Sequence, residues 1–290
     1  MIDPGQALAA IGLLPDAEID PAPAALQLAR LDAPESEWLE ASAHLSDLAR
    51  EAAAIGSLMS GRSAEGRIGA LAGLIHARHG YRGDSETYDD LDNANLIRVI
   101  GRRKGLPVAL GVLWLHCMRA AGWDGFGVDF PYHFLVAMVV RDGGAAGDGP
   151  DEADEAEAVV LVDAFAEGVT LAAGDLQLLL GRLGASPVTL HPDMIRRMTS
   201  REVLLRLQRN LVQRRLMAGE PEAALASLGG MLQIAPDVAA NWLNAADLSR
   251  QVGRLQAAID CLERFLALVP RGQVADKARA DLNELRGRTG

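Results

Sequence analysis

Apolar residues recur at helical spacing through most of the first 122 positions of the chain. This pattern predicts five helices, near residues 22–31, 36–59, 63–79, 93–103 and 107–121. Asp20-Pro21, Ser36 and Ser63 supply starts for the first three, and Gly80 closes the third. Polar residues predominate between Arg82 and Asp92, which predicts a loop.

After Gly122 the pattern changes to short apolar runs that are typical of β-strands, at 126–130, 132–140 and 158–163. Residues 141–157, between the last two runs, carry no apolar periodicity and predict a flexible hairpin tip. If the strands pair around this tip, Asp163 lies opposite Leu135 and on the same sheet face as His133. A slip of one residue would separate the two side chains. Helices followed by an antiparallel meander indicate an α+β domain.

The C-terminal part repeats itself. Gly219, Ala224 and Pro236 return 34 residues later as Gly253, Ala258 and Pro270, and 34 residues is the period of tetratricopeptide repeats. The period predicts paired helices near 205–218 with 221–234 and 239–252 with 255–268, followed by a capping helix near 274–286. Trp242 opens the second unit, and Thr199-Ser200-Arg201-Glu202 resembles a capping box that starts the first helix. Two ordinary helical hairpins with a coincidental period are the alternative.

Length and composition support two domains. The chain has 290 residues, 49% of them hydrophobic and 4% aromatic, and globular domains commonly contain about 100–200 residues. We expect a first domain at 1–195, with helices in 1–122 and an antiparallel sheet in 125–171. An all-α repeat module at 196–290 would then hold repeats near 205–238 and 239–272.

The net charge of −11 is distributed unevenly. Residues 141–157 carry a net charge of −6, residues 196–290 carry +5, and the remainder carries −10. An acidic first domain and a basic repeat module attract each other, so we expect them to dock within one chain or between chains. Acidic surfaces repel phosphate, which argues against nucleic acid as a partner. The basic stretch lacks the aromatic residues that interleave in single-strand binders. It contains Arg196, Arg197, Arg201, Arg206, Arg209, Arg214 and Arg215.

Other classes of function find little support. Two cysteines, Cys117 and Cys261, make no disulfide framework, so a reducing, cytoplasmic environment is expected. The first residues lack the basic region of a signal peptide, and no apolar run is long enough to span a membrane. His76 and His79 have the spacing of a metal pair, but without a nearby third ligand they indicate an exposed helix end. We therefore expect neither a metal nor a cofactor.

One segment carries residues with chemical potential in a recognisable order. Asn93 precedes Gly105-Leu106-Pro107, then come Tyr132-His133-Phe134-Leu135-Val136, and finally Asp163. Together with the repeats, this order resembles the bacterial SirB family, which joins a papain-like, transglutaminase-like domain to C-terminal tetratricopeptide repeats. The resemblance covers most of the chain. It implies that His133 and Asp163 are remnants of a Cys-His-Asp triad, with Asn93, Gly105, Pro107 and Tyr132 as pocket or motif positions.

The resemblance also shows what is missing. Active transglutaminase-like enzymes place a cysteine at the start of the central helix, where the helix dipole and a histidine favour the thiolate. Here that position is Pro107, which suits a first helical turn but offers no nucleophile. Residues 101–115 contain no Ser, Thr or Cys. Cys117 lies roughly 15 Å further along the helix and is better interpreted as a buried structural thiol.

Two functional hypotheses follow. In the first, the protein is a non-catalytic transglutaminase-like protein that acts as an interaction or regulatory module through its repeats. In the second, it is a hydrolase or acyl-transferase of papain-like descent that uses the His133 and Asp163 pair without a thiol. A His–Asp–Asn metal site with Asn93 is a weaker third interpretation, and a lone strand histidine can also be an ordinary core residue. The missing nucleophile favours the first hypothesis.

Overall fold

A computed structural model describes residues 3–140, 158–184 and 189–289. The chain begins with four helices, α1 (Pro4–Leu13), α2 (Pro21–Ala29), α3 (Glu35–Leu58) and α4 (Ala64–Ala72). The Asp20 and Ser63 side chains accept hydrogen bonds from the first turns of α2 and α4, which confirms both predicted starts. Helix α3 begins one residue before the predicted Ser36, directly after Pro34. Helix α1 has no counterpart among the predicted helices.

The predicted helix near 63–79 changes its hydrogen-bonding pattern midway. A π-helical turn (Gly73–Arg78) follows α4, and Gly80 then adopts a φ of 72°, which ends the helix as predicted. The expectation that His76 and His79 lie on an exposed helix end is wrong. Nε2 of His76 accepts a hydrogen bond from the buried Trp114 at 3.0 Å, and the His79 side chain is 17% exposed and 3.1 Å from Glu51.

The segment before the sheet contains two short parallel strands and two helices. They are β1 (Arg82–Gly83), α5 (Leu96–Arg102), β2 (Lys104–Gly105) and α6 (Pro107–Ala120). Helix α5 begins three residues later than predicted because the Asn95 side chain accepts from the N–H groups of Ile97 and Arg98 and so caps the helix there. A 3-10 turn, Leu91–Ala94, precedes it. Residues 107–118 of α6 are all buried, so α6 is the central helix of the domain.

Five antiparallel strands form the sheet in the order β6-β5-β4-β3-β7. They are β3 (Gly125–Phe130), β4 (His133–Val139), β5 (Val159–Asp163), β6 (Val169–Leu171) and β7 (Arg196–Met198). Val136 pairs with Val162, which is the predicted register and places Asp163 level with Leu135. The predicted hairpin tip, 141–157, lies outside the described residues.

The two faces of the sheet pack against different helices. On one face Phe134 approaches α6 so closely that a Cβ at Gly111 would lie 2.2 Å from its ring. On the other face α7 (Ala173–Arg182) inserts Leu176 and Leu180 into a second apolar cluster with Val128 and Leu161. The α+β fold class is therefore confirmed.

Helices of the predicted repeats follow β7. They are α8 (Ser200–Met217), α9 (Pro221–Ile234), α10 (Ala239–Gln251), α11 (Leu255–Leu268) and α12 (Gln273–Thr289). Thr199 and Glu202 form the predicted capping box, with Thr199 Oγ1 accepting from the Glu202 N–H at 3.2 Å and the Glu202 carboxylate accepting from the Thr199 N–H at 2.9 Å.

The repeat-defining residues take matching places in the two units. Gly219 and Gly253 end α8 and α10 with φ angles of 75° and 76°, a region that favours glycine. Ala224 and Ala258 are fully buried one turn into the next helices. Pro236 and Pro270 come just after α9 and α11, and the Trp242 indole donates to the Pro236 carbonyl at 2.8 Å.

The N-terminal helices pack directly on the repeat helices. A Cβ at Gly12 in α1 would lie 2.2 Å from the carbonyl oxygen of Gln233 in α9, and one at Gly230 would meet Leu28 of α2 at 2.9 Å. One buried apolar cluster consequently runs from the first helices into the repeats. No helix in the described ranges combines the length and the apolar character needed to cross a bilayer.

Candidate functional site

The His133 and Asp163 side chains meet at the ends of adjacent strands. His133 is the first residue of β4 and Asp163 is the last residue of β5. The imidazole Nε2 lies 3.0 Å from the Asp163 Oδ1. Both residues are buried, with exposed fractions of 7% and 6%. The predicted juxtaposition is thus present in the structure, diagonal across the register of β4 and β5.

The surroundings of Asp163 orient the histidine. Asp163 Oδ1 also accepts from the backbone N–H groups of Phe165 at 2.9 Å and Ala166 at 3.2 Å, which fixes the carboxylate in the turn after β5. A carboxylate accepts, so Nε2 of His133 carries the proton. In a neutral imidazole Nδ1 is then the nitrogen with the lone pair. Within the described part of the chain, Nδ1 has no hydrogen-bond partner.

No nucleophile accompanies this pair at the expected position. Pro107 is the first residue of α6 and is buried. Cys117 is also buried, and burial raises the pKa of its thiol to about 12, so it remains protonated near neutral pH. The structure therefore places His133 and Asp163 together without a thiol in a reactive environment at either position.

Asn93 has a different set of contacts. Its side chain is completely buried, and its Nδ2 donates to the Thr87 carbonyl at 2.7 Å. The backbone carbonyl of Asn93 accepts from the Leu106 N–H at 3.1 Å. These bonds join the loop before α5 to the start of α6, and none of the hydrogen bonds of Asn93 reaches His133 or Asp163. The contacts support a positioning role for Asn93 in the loop.

Gly105 and Tyr132 occupy constrained backbone positions. A Cβ at Gly105 would lie 2.9 Å from Val99, so the close approach of α5 to β2 requires glycine. Tyr132 has a φ of 59° and is 73% exposed, in the turn between β3 and β4. The strand that the sequence predicts from Tyr132 onward therefore begins at His133, because a left-handed residue cannot continue the pleat.

Asp84 organises the loop over this region, although the sequence pattern gives no sign of it. The residue is 1% exposed and accepts from the Thr87 N–H at 3.0 Å, the Thr87 hydroxyl at 2.6 Å and Arg102 at 3.2 Å. Burial by itself raises the pKa of Asp84, but hydrogen bonds from Thr87 and Asn93 and the charge of Lys104 outweigh it and lower the pKa to about 2. The loop is thus closed by a carboxylate that stays ionised.

A chain of aromatic contacts covers His133. The ring centroid of Phe165 lies 6.2 Å from that of His133 and 6.0 Å from that of Tyr88, in edge-to-face arrangements. The Arg214 guanidinium lies 5.6 Å from the Tyr88 ring. Gly83 permits this packing, because a Cβ there would lie 2.6 Å from the Phe165 ring. The chain links the imidazole to helix α8.

Two arginines of α8 reach the same region from the repeat side. Arg206 donates to the His133 carbonyl at 2.5 Å and also binds the Asp129 carboxylate. Arg214 is 6% exposed and donates to the Tyr88 carbonyl at 3.2 Å. The sequence identified both only as members of a basic stretch. Their roles depend on where α8 packs, which a single-sequence pattern does not contain.

Other arginines of the basic stretch also contact the N-terminal part. Arg196 lies 3.1 Å from Asp129, Arg201 lies 3.9 Å from Asp16, and Arg215 lies 2.7 Å from Asp32. The side chain of Arg215 is 10% exposed, so its ion pair is largely shielded from solvent.

Comparisons with known proteins agree with this architecture. The family model of the transglutaminase-like superfamily matches residues 39–209, and a tetratricopeptide repeat model matches residues 211–283. The chain belongs to the transglutaminase-like superfamily and continues into tetratricopeptide repeats.

Its relatives include proteins named UPF0162. The UPF0162 protein of Xylella fastidiosa (strain Temecula1) is 26% identical over 226 residues, which are 76% of this chain and 74% of the relative. The UPF0162 protein of Vibrio cholerae is 35% identical over 114 residues, covering 39% of this chain and 42% of that protein. F-box only protein 21 of Mus musculus is 27% identical over 115 residues, covering 40% of this chain and 17% of that protein. No solved structure matches the chain.

Proposed function

We propose that this protein is a non-catalytic transglutaminase-like protein of the bacterial SirB family that works as an interaction or regulatory module. The observation that carries the proposal is the buried Pro107 at the first position of α6, where the resemblance expects the nucleophilic cysteine. The order of Asn93, Pro107, His133 and Asp163 followed by the repeats supports the family assignment.

The low exposure of the pair supports the proposed absence of catalysis. His133 and Asp163 are 7% and 6% exposed, and Phe165 packs edge-on against the imidazole. A substrate carbonyl needs both an attacking group and a path to it. Neither Pro107 nor the protonated Cys117 thiol supplies the attacking group.

The repeat module supplies the interaction surface in this proposal. Paired tetratricopeptide helices build concave surfaces that bind peptides or partner helices. We also propose that the basic stretch docks the repeats on the acidic first domain of the same chain. The ion pairs of Arg201 with Asp16 and of Arg215 with Asp32 support docking within one chain.

An activity screen tests the non-catalytic proposal. Wild-type protein and His133→Ala are assayed with panels of amides, esters and amine acceptors, with papain as the positive control. We expect both proteins to give equal rates at background. Turnover by the wild type that falls at least tenfold in His133→Ala would overturn the proposal.

One observation favours a second candidate, a hydrolase or acyl-transferase of papain-like descent. The lone pair on Nδ1 of His133 is oriented by the Asp163 bond, so the imidazole has the protonation pattern of a general base. In this alternative His133 activates water or a substrate amine directly. The same screen separates the candidates, because only the second expects a rate that depends on His133.

A further inference from the structure

Arg209 stands where two clefts meet on helix α8. One cleft of about 410 Å³ lies between α8, α9 and α10, and Val212, Leu216 and Met231 contribute to its apolar lining. The other, of about 380 Å³, lies where α8 approaches the sheet and is lined by charged residues that include Asp129 and Arg206. Arg209 lines both clefts, which places them side by side along α8.

The charged cleft holds one more positive charge than negative charge. Arg196, Arg206 and Arg209 face the carboxylates of Asp129 and Glu202. Arg196 pairs with both carboxylates, and Arg206 pairs with Asp129. Among the residues that the structure describes, no carboxylate lies within ion-pair distance of Arg209. Burial and the nearby Arg209 charge lower the pKa of Arg206, as expected for cations with too few counter-charges.

The apolar cleft offers two kinds of contact. Leu216 is 45% exposed at its rim, and the buried Met231 and Leu248 lie at its floor. Gln213, Asn244 and Gln251 line the same cleft with neutral amide groups. Amides of this kind hydrogen-bond a peptide backbone, whereas the chain of a fatty acid has no groups to pair with them. Asp247, which lines the same cleft, lies 3.6 Å from Arg250, so its charge is paired outside the cleft and Arg209 remains the unpaired charge.

We propose that the two clefts together bind a peptide segment of a partner protein in which an acidic side chain is followed by apolar side chains. The acidic group pairs with Arg209, and the apolar side chains fill the cleft beside Leu216. This inference rests on the proposed function as an interaction module and names the chemistry of its partner.

Peptide binding to the full-length protein tests the proposal. The probes are short fluorescein-labelled peptides in which two acidic residues precede four apolar ones, and a matched set in which amides replace the acids. Binding is followed by fluorescence anisotropy at about 50 mM and about 300 mM salt. Arg209→Gln removes the unpaired charge, and Lys277→Gln removes an exposed cation that lines neither of the two clefts.

We expect the acidic peptides to bind the wild type more tightly than the amide set and to weaken with salt. Arg209→Gln should lose about tenfold in affinity for the acidic peptides, whereas Lys277→Gln stays within about twofold. Equal affinity for both peptide sets, or an unchanged affinity in Arg209→Gln, would overturn the proposed recognition of an acidic side chain. It would leave the proposal of an interaction module intact. Failure of both sets to bind counts against the module as well.

Sedimentation of the unlabelled protein supplies a second check. The proposal expects the clefts to be open in the isolated protein, so Arg209→Gln should sediment like the wild type. A dimer that dissociates in Arg209→Gln would show that a second copy of this chain fills the clefts, and the peptide assignment would then be wrong.

Discussion

Nδ1 of His116 lies 2.8 Å from the Asp20 carboxylate, across the contact between α6 and α2. Its other ring nitrogen, Nε2, lies 3.2 Å from the Leu45 carbonyl. Both partners are acceptors, so both nitrogens donate only when the ring is an imidazolium. Burial lowers the pKa of His116, but the hydrogen bond and charge of Asp20 outweigh it and raise the pKa above its usual value. The protonated ring therefore ties α6 to α2 and α3.

This cation predicts a specific pH dependence. Because the pKa is raised in the folded state, the His116 contribution is fully present below the unfolded pKa of about 6.5 and is lost as pH rises through the folded pKa. Urea unfolding at about pH 6 and about pH 8.5 should show wild-type stability falling more steeply than that of His116→Gln. His191→Gln, which changes an exposed histidine, is the control. Parallel pH profiles for His116→Gln and the wild type would contradict the assignment.

His44 should show the opposite behaviour. Burial and the adjacent Arg103 guanidinium lower its pKa to about 4. A histidine with a lowered pKa adds stability that is present above about pH 6.5 and is lost as pH falls toward the folded pKa. In NMR titrations the His44 ring signals should therefore remain those of a neutral imidazole down to about pH 5. Arg103→Gln should raise the pKa, and a titration near pH 6.5 in the wild type would refute this environment.

A glycine pair tests the close contact between the sheet and α6. Gly111→Ala introduces a methyl group 2.2 Å from the Phe134 ring, so we expect a loss of at least about 2 kcal/mol in the free energy of unfolding. Gly69→Ala is the matched control, since that glycine is also helical and has nothing within 4 Å of its Cβ position. The free energy of unfolding of this control should rise by about 0.5–1 kcal/mol, because alanine has a higher helix propensity than glycine. Equal effects in urea unfolding would show that α6 and β4 do not pack as described.

The proposal that residue 107 occupies the nucleophile position can be tested by introducing a thiol there. Pro107→Cys places a cysteine at the N-terminus of α6, where the helix dipole favours the thiolate and where, under the proposed role of residue 107, His133 favours it as well. Labelling with iodoacetamide near pH 7 should be at least about fivefold faster in Pro107→Cys than in the double variant with His133→Ala. The wild type gives the background labelling rate of the buried Cys117 and Cys261. Equal rates in the two variants would mean that residue 107 does not face His133.

The sequence predicts the parts of this fold that local patterns determine. The 34-residue spacing of Gly219 with Gly253 marks the repeats, because each helical pair needs the same tight turn. The register that brings His133 and Asp163 together follows from the alternation of two apolar strands.

The missed features depend on tertiary contacts. Strand β7 has three residues, and its pairing with β3 decides its conformation. The buried Asp84 lies in a segment that is polar along the chain, and its role becomes visible only when Thr87 and Arg102 close around it. Helix α7 is short, and its apolar residues are buried because they pack against one face of the sheet. The local preferences of these short segments for strand or helix are too weak to appear in the pattern of one sequence.

The junction between the repeats and the first helices should depend on Arg215. Its guanidinium lies 2.7 Å from Asp32, and it also donates to Ser227 Oγ at 2.6 Å and to the Ala223 carbonyl at 2.8 Å. Replacing one partner of a largely buried pair leaves the other charge poorly solvated. We therefore expect Arg215→Met to lower the free energy of unfolding by about 3 kcal/mol. Asp32→Asn with Arg215→Met should recover part of that loss.

Arg250 provides the comparison for this measurement. It forms an exposed ion pair with Asp247 one helical turn away, at 3.6 Å, and lies in the same repeat array. Arg250→Met should change the free energy of unfolding by less than about 0.5 kcal/mol, because exposed pairs are screened by water and salt. Urea unfolding of the full-length variants measures both effects. If Arg215→Met proves no more destabilising than Arg250→Met, the Asp32 contact does not hold the repeats on the first domain, and the junction depends on its apolar contacts and its other ion pairs.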